Sequence, residues 1–271
     1  MKRMPDTVYL MYHELEVPGR ELCQSEPGYV RYVVTESRFR EQLARLEEKG
    51  FRGLSVTQAL ENWAADAPSI AITFDDGSES DLIAAAPALK QRGFNATFYV
   101  VPAFLGQRGY LSERQLRELS DLGFEIGCHS MSHAFLTDLD AGRLNVEIGG
   151  AKDRLEQVLG RRVDHFACPG GRWNRRVSEV AEAAGYRSVA TSRIAANSTI
   201  ADPFRLARMV VERDTTMAEF EDTCFARRLL ARQVRVAVLA AAKVALGNRA
   251  YEKVRSTMLD GASGLRRKTA I

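Results

Sequence analysis

Three short segments of the sequence combine residue types that can carry out hydrolytic chemistry. The first holds adjacent aspartates, Asp75 and Asp76, before a glycine, and the second holds His129 and His133, four residues apart. Two imidazoles at this spacing can share one side of a helical turn, and a nearby carboxylate would complete three ligands for a zinc-type ion. Three protein ligands leave one position for water, which is typical of a catalytic metal site.

The remaining residues of these segments supply the other parts of such a reaction. Adjacent aspartates that leave a strand point in different directions, so one can bind the ion while the other accepts a proton from the water. The third segment, Pro169, Gly170 and Gly171, offers unobstructed backbone N–H groups that can stabilise a developing oxyanion. Together the three segments predict hydrolysis of an acyl group.

Each segment by itself also has an ordinary structural explanation. Asp-Asp-Gly forms turns and helix caps, His-x-x-x-His pairs occur on helix surfaces, and Pro-Gly-Gly is common in loops. The functional interpretation is favoured because all three segments directly follow predicted strands. The carboxyl ends of parallel strands meet on one face of a sheet or barrel, where such folds carry out their chemistry.

The elements that would position these segments alternate along the chain. Apolar and β-branched runs predict strands at 8–12, 69–74, 96–101, 124–128, 163–168 and 188–191. Helical spacing predicts helices at 36–50, 56–63, 82–91, 112–122, 141–159 and 176–184. This alternation indicates an α/β fold of parallel strands joined by right-handed crossovers. We expect a closed or nearly closed (β/α) barrel, with an open doubly wound sheet as the alternative.

Charge, cysteine content and the length of the apolar runs limit the classes of protein to which the chain can belong. The 271 residues carry a formal net charge of +3, so no nucleic-acid-binding surface is expected overall. The four cysteines form no C-x-x-C pair, which favours a reducing compartment. The apolar run at 8–12 is too short for a signal peptide, and the run at 236–246 is too short to span a membrane. We expect a cytoplasmic protein.

The last part of the sequence differs from the rest. Residues 220–258 are rich in Ala, Leu, Val and Arg and predict a basic amphipathic helical tail. The tail either packs on the barrel with a solvated arginine face or contacts an anionic membrane surface through residues 225–256. We therefore divide the chain into a catalytic domain at 1–219 and a helical tail at 220–271.

At these motifs the chain resembles the polysaccharide deacetylase family, whose catalytic region is the NodB homology domain, also called carbohydrate esterase family 4. The resemblance covers roughly residues 8–216 and rests on T-F-D-D-G, H-S-x-x-H and a third motif ending in P-G-G. It implies Asp75 as the base, Asp76, His129 and His133 as metal ligands, and Gly170 as the oxyanion donor.

The resemblance also implies a fold, a cofactor and a substrate class. The fold would be a distorted (β/α) barrel with about seven parallel strands. The cofactor would be a divalent metal, with zinc first and cobalt or nickel as alternatives. The substrate would be an N-acetylglucosamine-type unit of a glycan.

Two positions depart from the family's pattern. The third motif of the family has an arginine that holds the catalytic aspartate, and Ala167 stands there in this chain. We name Arg172 or Arg193 as possible replacements. The family's late histidine, which protonates the leaving amine, has no match because the corresponding segment 208–214 contains none.

His13 is our replacement for that histidine, because it leaves the first predicted strand on the same face as the other segments. A histidine there is otherwise a hydrogen-bonded structural residue. Trp173 and Asn174 are predicted sugar contacts, with loop packing as the alternative. His165 lies inside a strand and is interpreted as packing, and Cys128 and Cys168, though close to the motifs, are left out of the ligand set.

The function that follows is a metal-dependent deacetylase acting on the acetamide of an N-acetylhexosamine. The sugar would belong to a polysaccharide, an oligosaccharide or a lipid- or nucleotide-linked precursor. Two alternatives are a hydrolase of another non-peptide C–N bond and a glycan-binding relative without turnover. The missing late histidine is the feature that supports the second alternative.

Overall fold

The computed structural model describes residues 6–61, 67–231 and 233–234. Ten strands lie in this part of the chain. They are β1 (Val8–Tyr12), β2 (Leu15–Glu16), β3 (Val34–Thr35), β4 (Arg52–Leu54), β5 (Ser69–Phe74), β6 (Thr97–Val100), β7 (Glu125–Cys128), β8 (His165–Ala167), β9 (Ser188–Ala190) and β10 (Met209–Val210).

Helices connect most of the strands. The α-helices are Pro27–Val30, Glu36–Glu48, Val56–Leu60, Ala86–Lys90, Glu113–Asp121, Ala141–Asn145, Ala151–Leu159, Arg175–Ala183 and Met217–Cys224. Wider π-helical turns occur at Asp81–Ala85 and Val146–Gly150, and 3-10 turns occur at Pro102–Phe104, Leu136–Asp138, Pro169–Gly171 and Pro203–Arg205. No described helix is both long enough and apolar enough to cross a lipid bilayer.

The strands form one curled parallel sheet in the order β10-β1-β5-β6-β7-β8-β9, with β4 added beside the first residues of β5. Leu206, just before β10, brings the two ends of this order together. Its N–H donates to Val189 O at 2.9 Å, and its carbonyl accepts from Thr191 N at 2.8 Å. The sheet therefore curls into a distorted (β/α) barrel, and the open doubly wound alternative is wrong. The short strands β2 and β3 pair separately.

The strands are apolar on both faces because helices cover the outside and side chains fill the inside. All five residues of β1 are buried, as is β5 from Ile70 onward. The interior is closed at the amino-terminal end of the strands by the helix Val56–Leu60. Its Val56 and Ala59 belong to one cluster with residues of the strands, namely Tyr9, Leu54, Ala71, Tyr99, Ala167, Ala190 and Leu206.

Capping residues set the starts of the helices that cover the barrel. The Thr35 side chain accepts from Arg38 N and begins the helix Glu36–Glu48. Ser55 and Ser112 each form a reciprocal capping box with a glutamine three residues later. These local signals explain why the helix starts were close to the positions that the sequence predicted.

The predicted strands at 8–12 and 69–74 are confirmed to the residue. The predicted strand at 163–168 is shorter, His165–Ala167. The sequence missed four strands of two or three residues, including β4, which was interpreted as a simple connection between helices. Strands this short contain no alternation that a pattern could reveal.

Most of the predicted tail lies outside the described residues, as do positions 62 and 63 of a predicted helix. In the described part, the helix Met217–Cys224 packs through buried Phe220, Thr223 and Cys224. The amphipathic tail, its contact with a membrane and the boundary after residue 219 stay predictions.

Candidate active site

The three motif segments meet at the carboxyl-terminal ends of their strands. Asp75 and Asp76 directly follow β5, and His129 directly follows β7. The Asp76 Oδ1 atom lies 3.7 Å from His129 Nε2 and 3.5 Å from His133 Nε2. His129 Nε2 also lies 3.7 Å from Asp75 Oδ2. The predicted convergence of two carboxylates and two imidazoles is therefore found in the structure.

Left-handed backbone produces this convergence, and the predicted helical turn between the histidines is wrong. Ser130 and His133 have φ angles of 62° and 63°, and Asp76 has a φ of 78°. Positive φ is costly for residues other than glycine, so the surrounding contacts must hold this loop. Ser130 Oγ accepts from His133 N at 3.0 Å, and Glu147 accepts from Ser132 N at 2.9 Å.

Asp76, His129 and His133 fit a divalent metal. Their ligand atoms all lie within 4.8 Å of one another, and no other group of this kind occurs in the described residues. Asp76 Oδ1 is buried and has no hydrogen-bond partner within that part of the chain. His129 Nδ1 contacts Ala167 O at 2.9 Å, which leaves Nε2 available to a metal ion. A buried acceptor without a donor is costly unless a cation completes it.

The pKa values of these groups agree with a cation site. Burial raises the pKa of Asp76 to about 6, and the neighbouring charge of Asp75 acts in the same direction. Burial lowers the pKa of His129 to about 3, against the opposing charge of Asp75, and also lowers the pKa of His133. Both imidazoles are therefore neutral near pH 7, as metal ligation requires.

Asp75 is held by a buried arginine that the sequence did not identify. Arg208 Nη1 donates to Asp75 Oδ1 at 2.6 Å, and Nη2 donates to Oδ2 at 2.8 Å. Arg208 Nε donates to Thr191 O at 3.1 Å, and its guanidinium lies 5.2 Å from the centre of the Tyr99 ring. Burial raises the pKa of Asp75, but the Arg208 charge outweighs it and holds this pKa well below the usual range.

Neither arginine suggested by the sequence holds Asp75. Arg172 is exposed and donates to Asp138 Oδ2 at 3.1 Å, and Arg193 is exposed in the loop after β9. The signal that could have found Arg208 is its place inside the apolar run 206–211, because an arginine buried there requires an anionic partner.

His13 lies beside the two carboxylates. It follows β1 directly, its ring stacks on Tyr32 with centroids 4.9 Å apart, and its charge lowers the pKa of both Asp75 and Asp76. Within the described residues, its buried Nδ1 atom has no hydrogen-bond partner. His13 thus follows the strand beside the one that carries the two carboxylates, and its role in proton transfer stays a prediction.

The Pro169–Gly171 turn requires both of its glycines. Gly170 and Gly171 have φ angles of 61° and 67°. A Cβ on Gly171 would lie 2.3 Å from Ser192 Oγ, and a Cβ on Gly170 would lie 3.1 Å from Phe135 Cε1. The Gly171 N–H donates to Cys168 O at 2.8 Å. The Gly171 N–H is therefore occupied, and the role of the Gly170 N–H as an oxyanion donor stays a prediction.

Residues that flank the motifs have structural partners. Trp173 Nε1 donates to Phe204 O at 2.8 Å, and Asn174 Oδ1 accepts from Val177 N at 2.9 Å at the start of a helix. Their contacts with a sugar stay predictions. Burial raises the pKa of both Cys128 and Cys168 to about 12, which agrees with their exclusion as ligands.

His165 is a packing residue, as predicted. It is fully buried at the amino-terminal end of β8, and its two ring nitrogens contact Thr57 Oγ1 at 2.7 Å and Ser188 Oγ at 2.8 Å. It lies at the opposite end of the strands from the three motif segments.

Comparisons with known proteins agree with this geometry. Residues 64–189 match the family described as Polysaccharide deacetylase. A Bacillus subtilis protein named "Putative polysaccharide deacetylase YxkH" is 27% identical over 206 residues, which cover 74% of this chain and 70% of that protein. Peptidoglycan-N-acetylmuramic acid deacetylase PdaC, also from Bacillus subtilis, is 37% identical over 95 residues, 34% of this chain and 19% of that protein.

A solved structure shares the fold. Streptococcus pyogenes deacetylase PplD, in complex with acetate, superposes with a TM-score of 0.70 at 22% identity, over 81% of this chain and 98% of that chain. At this level of identity the likeness shows the fold alone.

Proposed function

Because the chain belongs to the polysaccharide deacetylase family, we propose that it is a metal-dependent hydrolase that removes the acetyl group from an N-acetylhexosamine unit. The unit would belong to a polysaccharide, an oligosaccharide or a lipid- or nucleotide-linked precursor. The meeting of Asp76, His129 and His133 beside the ionised Asp75 is the observation that carries the proposal. These groups are the ones that metal-assisted hydrolysis of an amide needs.

Asp76, His129 and His133 would hold the divalent ion, for which we propose zinc, with cobalt or nickel as alternatives. When bound, such an ion polarises the amide carbonyl and lowers the pKa of the attacking water. The unpartnered Asp76 Oδ1 and the fixed orientation of His129 support this assignment. Four-coordinate zinc has space for three protein ligands and one further group.

Asp75 would accept the proton of the attacking water. Its carboxylate lies beside the ligand set, 3.7 Å from His129 Nε2, and Arg208 keeps it ionised. Each carboxylate oxygen that accepts one hydrogen bond from Arg208 retains a second lone pair for a water proton. The bidentate pair also fixes the direction of the carboxylate, so the base is positioned before the substrate binds.

Two further groups would stabilise the negative charge of the oxyanion and supply a proton to the leaving amine. The Gly170 N–H would donate to the oxyanion that forms when water adds to the acetamide carbonyl. His13, which directly follows β1, would donate a proton to the leaving amine. The support for His13 is its position after β1 and its influence on the pKa of Asp75 and Asp76.

The proposal is tested by acetate release from tetra-N-acetylchitotetraose and from N-acetylmuramic acid-containing peptidoglycan fragments. The protein is stripped with a chelator and then loaded with zinc, cobalt or nickel. We expect release with metal, little release without it, and a loss of about 10²–10⁴-fold in kcat for Asp75→Asn.

The matched control is Asp121→Asn, a neutralised aspartate on an exposed helix end, which should retain full activity. Acetate release that persists in Asp75→Asn would rule out this base. Hydrolysis of a cyclic amide or ureide in place of the acetylated sugars would contradict the proposed substrate while leaving the metal site intact.

A further inference from the structure

One aromatic ring at the edge of the site, that of Phe135, has no part in the proposed hydrolysis. Phe135 lies two residues after the metal ligand His133 and is 46% exposed. Most phenylalanines of the described chain are buried in the barrel or against its helices. A single exposed apolar side chain is unremarkable by itself. The surroundings of Phe135 give it a specific role.

The ring lies against the turn that carries the oxyanion donor. A Cβ added to Gly170 would be 3.1 Å from Phe135 Cε1, so the ring occupies the space that a side chain at position 170 would need. Gly170 has a φ of 61°, which glycine adopts without strain. The ring therefore joins the loop of the metal ligands to the Pro169–Gly171 turn.

The ring is also held in place by polar neighbours. The guanidinium carbon of Arg172 lies 3.9 Å from the ring centroid, and Arg172 Nη1 donates to Asp138 Oδ2 at 3.1 Å. Asp138 belongs to the 3-10 turn that begins directly after Phe135. The loop before the ring is tied to Glu147 through Ser132. The ring is thus fixed before any ligand binds.

Arg172 covers part of this fixed ring, and the 46% that stays exposed, next to polar groups, suits one face of a pyranose. The ring C–H groups of a sugar pack on an aromatic face, and its hydroxyls pair with nearby charged groups such as Arg172 and Asp138. We infer that Phe135 is a substrate-contact residue on which a pyranose of the glycan stacks, so that its acetamide carbonyl reaches the Gly170 N–H. This inference rests on the proposed function.

Phe135→Ala tests this role by separating binding from turnover. With zinc-loaded protein and tetra-N-acetylchitotetraose, we expect KM to rise about tenfold while kcat changes by less than about threefold. Phe135→Trp, which keeps an aromatic face, should stay close to the wild type. Calorimetric titration of the same oligosaccharide into Asp75→Asn protein, with and without Phe135→Ala, should give the same tenfold loss in affinity.

Phe225→Ala is the matched control. Phe225 is 39% exposed and has an arginine, Arg227, over its ring at 4.7 Å. It packs on Phe51, beside the amino-terminal end of β4, away from the three motif segments. This variant should leave KM unchanged, and thermal unfolding of both variants checks that the fold is retained.

The outcomes separate this inference from the proposed function. Hydrolysis with an unchanged KM in Phe135→Ala would overturn the stacking role and leave the function standing. Oligosaccharide binding that depends on Phe135 without any acetate release would contradict the function and retain the contact. A wild-type protein that neither binds nor hydrolyses the oligosaccharide would overturn both.

Discussion

The Arg208 guanidinium and the Asp75 carboxylate form two parallel hydrogen bonds inside the barrel, at 2.6 and 2.8 Å. Both side chains are almost completely buried. A carboxyl group buried without a partner would be driven toward its neutral form, because burial disfavours the charge. Arg208 reverses that tendency and lowers the pKa of Asp75. The proposed base therefore depends on Arg208 for both its charge and its direction.

Replacing Arg208 should damage stability and shift the pH dependence together. Arg208→Met leaves Asp75 buried and unpaired, so we expect the free energy of unfolding to fall by about 3–5 kcal/mol. The pKa of Asp75 rises in this variant, so the base becomes protonated at a higher pH. The acid limb of the kcat/KM profile should therefore move to higher pH. Urea unfolding and a pH–rate series measure the two effects.

The double variant Arg208→Met with Asp75→Asn serves as the control for this prediction. It removes both charges, so much of the lost stability should return while activity stays absent. An Arg208→Met protein whose acid limb coincides with that of the wild type would show that Arg208 does not set the ionisation of Asp75.

The sequence predicted that the two aspartates and two histidines would meet, because their segments follow strands at the same end of the barrel. Arg208 could not be found in this way. It lies 133 residues from Asp75 and reaches it across β1, because β10 and β5 flank β1 in the sheet. The position of β10 beside β1 results from the closure of the barrel, which the sequence pattern does not show. In addition, β10 has two residues, which are too few to be recognised as a strand.

The histidine pair shows a different limit of prediction from the sequence. Its spacing predicted that the two imidazoles would lie together, which the structure shows, but through a helical turn that does not exist. The structure uses left-handed backbone at Ser130 and His133, and neither residue type signals such a conformation. Contacts that are remote in sequence, such as the one between Ser132 and Glu147, hold this loop. The spacing thus predicted that the two side chains are close, while tertiary packing determined the backbone between them.

Asp76→Asn should have opposite effects on the metal-free and metal-loaded proteins. Without metal, Asp76 is a carboxylate whose Oδ1 is buried without a donor in the described residues, so its neutralisation should leave the melting temperature unchanged or higher. With saturating zinc, the wild type should gain about 2–4 kcal/mol of stability, and the variant should gain little. Thermal unfolding with zinc or with a chelator measures both effects.

The zinc affinity of the wild type should also weaken as the pH falls through about 6, the pKa to which burial raises Asp76. The sign follows because the proton and the metal compete for the same carboxylate. An equal zinc-induced rise in melting temperature for wild type and Asp76→Asn would exclude Asp76 as a ligand.

His13→Gln should slow the hydrolysis of a substrate to an extent that depends on its leaving group. An amine leaves only when it is protonated, so we expect kcat for tetra-N-acetylchitotetraose to fall by about 10²–10⁴-fold. The phenolate of p-nitrophenyl acetate leaves without a proton, so hydrolysis of this ester should change by less than about fivefold. Steady-state kinetics with both substrates on the same zinc-loaded preparation give the comparison. Equal losses on both substrates would assign His13 a positioning role instead.

Glu125 should stabilise the amino-terminal end of the barrel in a pH-dependent way. Its carboxylate accepts from Val56 N at 3.0 Å and from the Thr97 hydroxyl, and it lies 3.5 Å from His165 Nε2. Burial raises the pKa of Glu125, but the bond and charge of His165 and the bonds from Thr57 and Thr97 together lower it to about 2.

A carboxyl group whose pKa is depressed on folding adds stability that is fully present above its unfolded pKa. That stability is lost as the pH falls toward the folded value. Glu125→Gln should therefore be less stable than the wild type by about 2–3 kcal/mol at pH 7, and the difference should shrink steadily from about pH 4.5 down to about pH 2. Chemical unfolding from pH 7 to pH 3 measures the difference. Glu125 begins β7, whereas His129 follows the opposite end of that strand, so the zinc affinity of Glu125→Gln should equal that of the wild type. A difference in the free energy of unfolding that does not vary with pH would contradict the prediction.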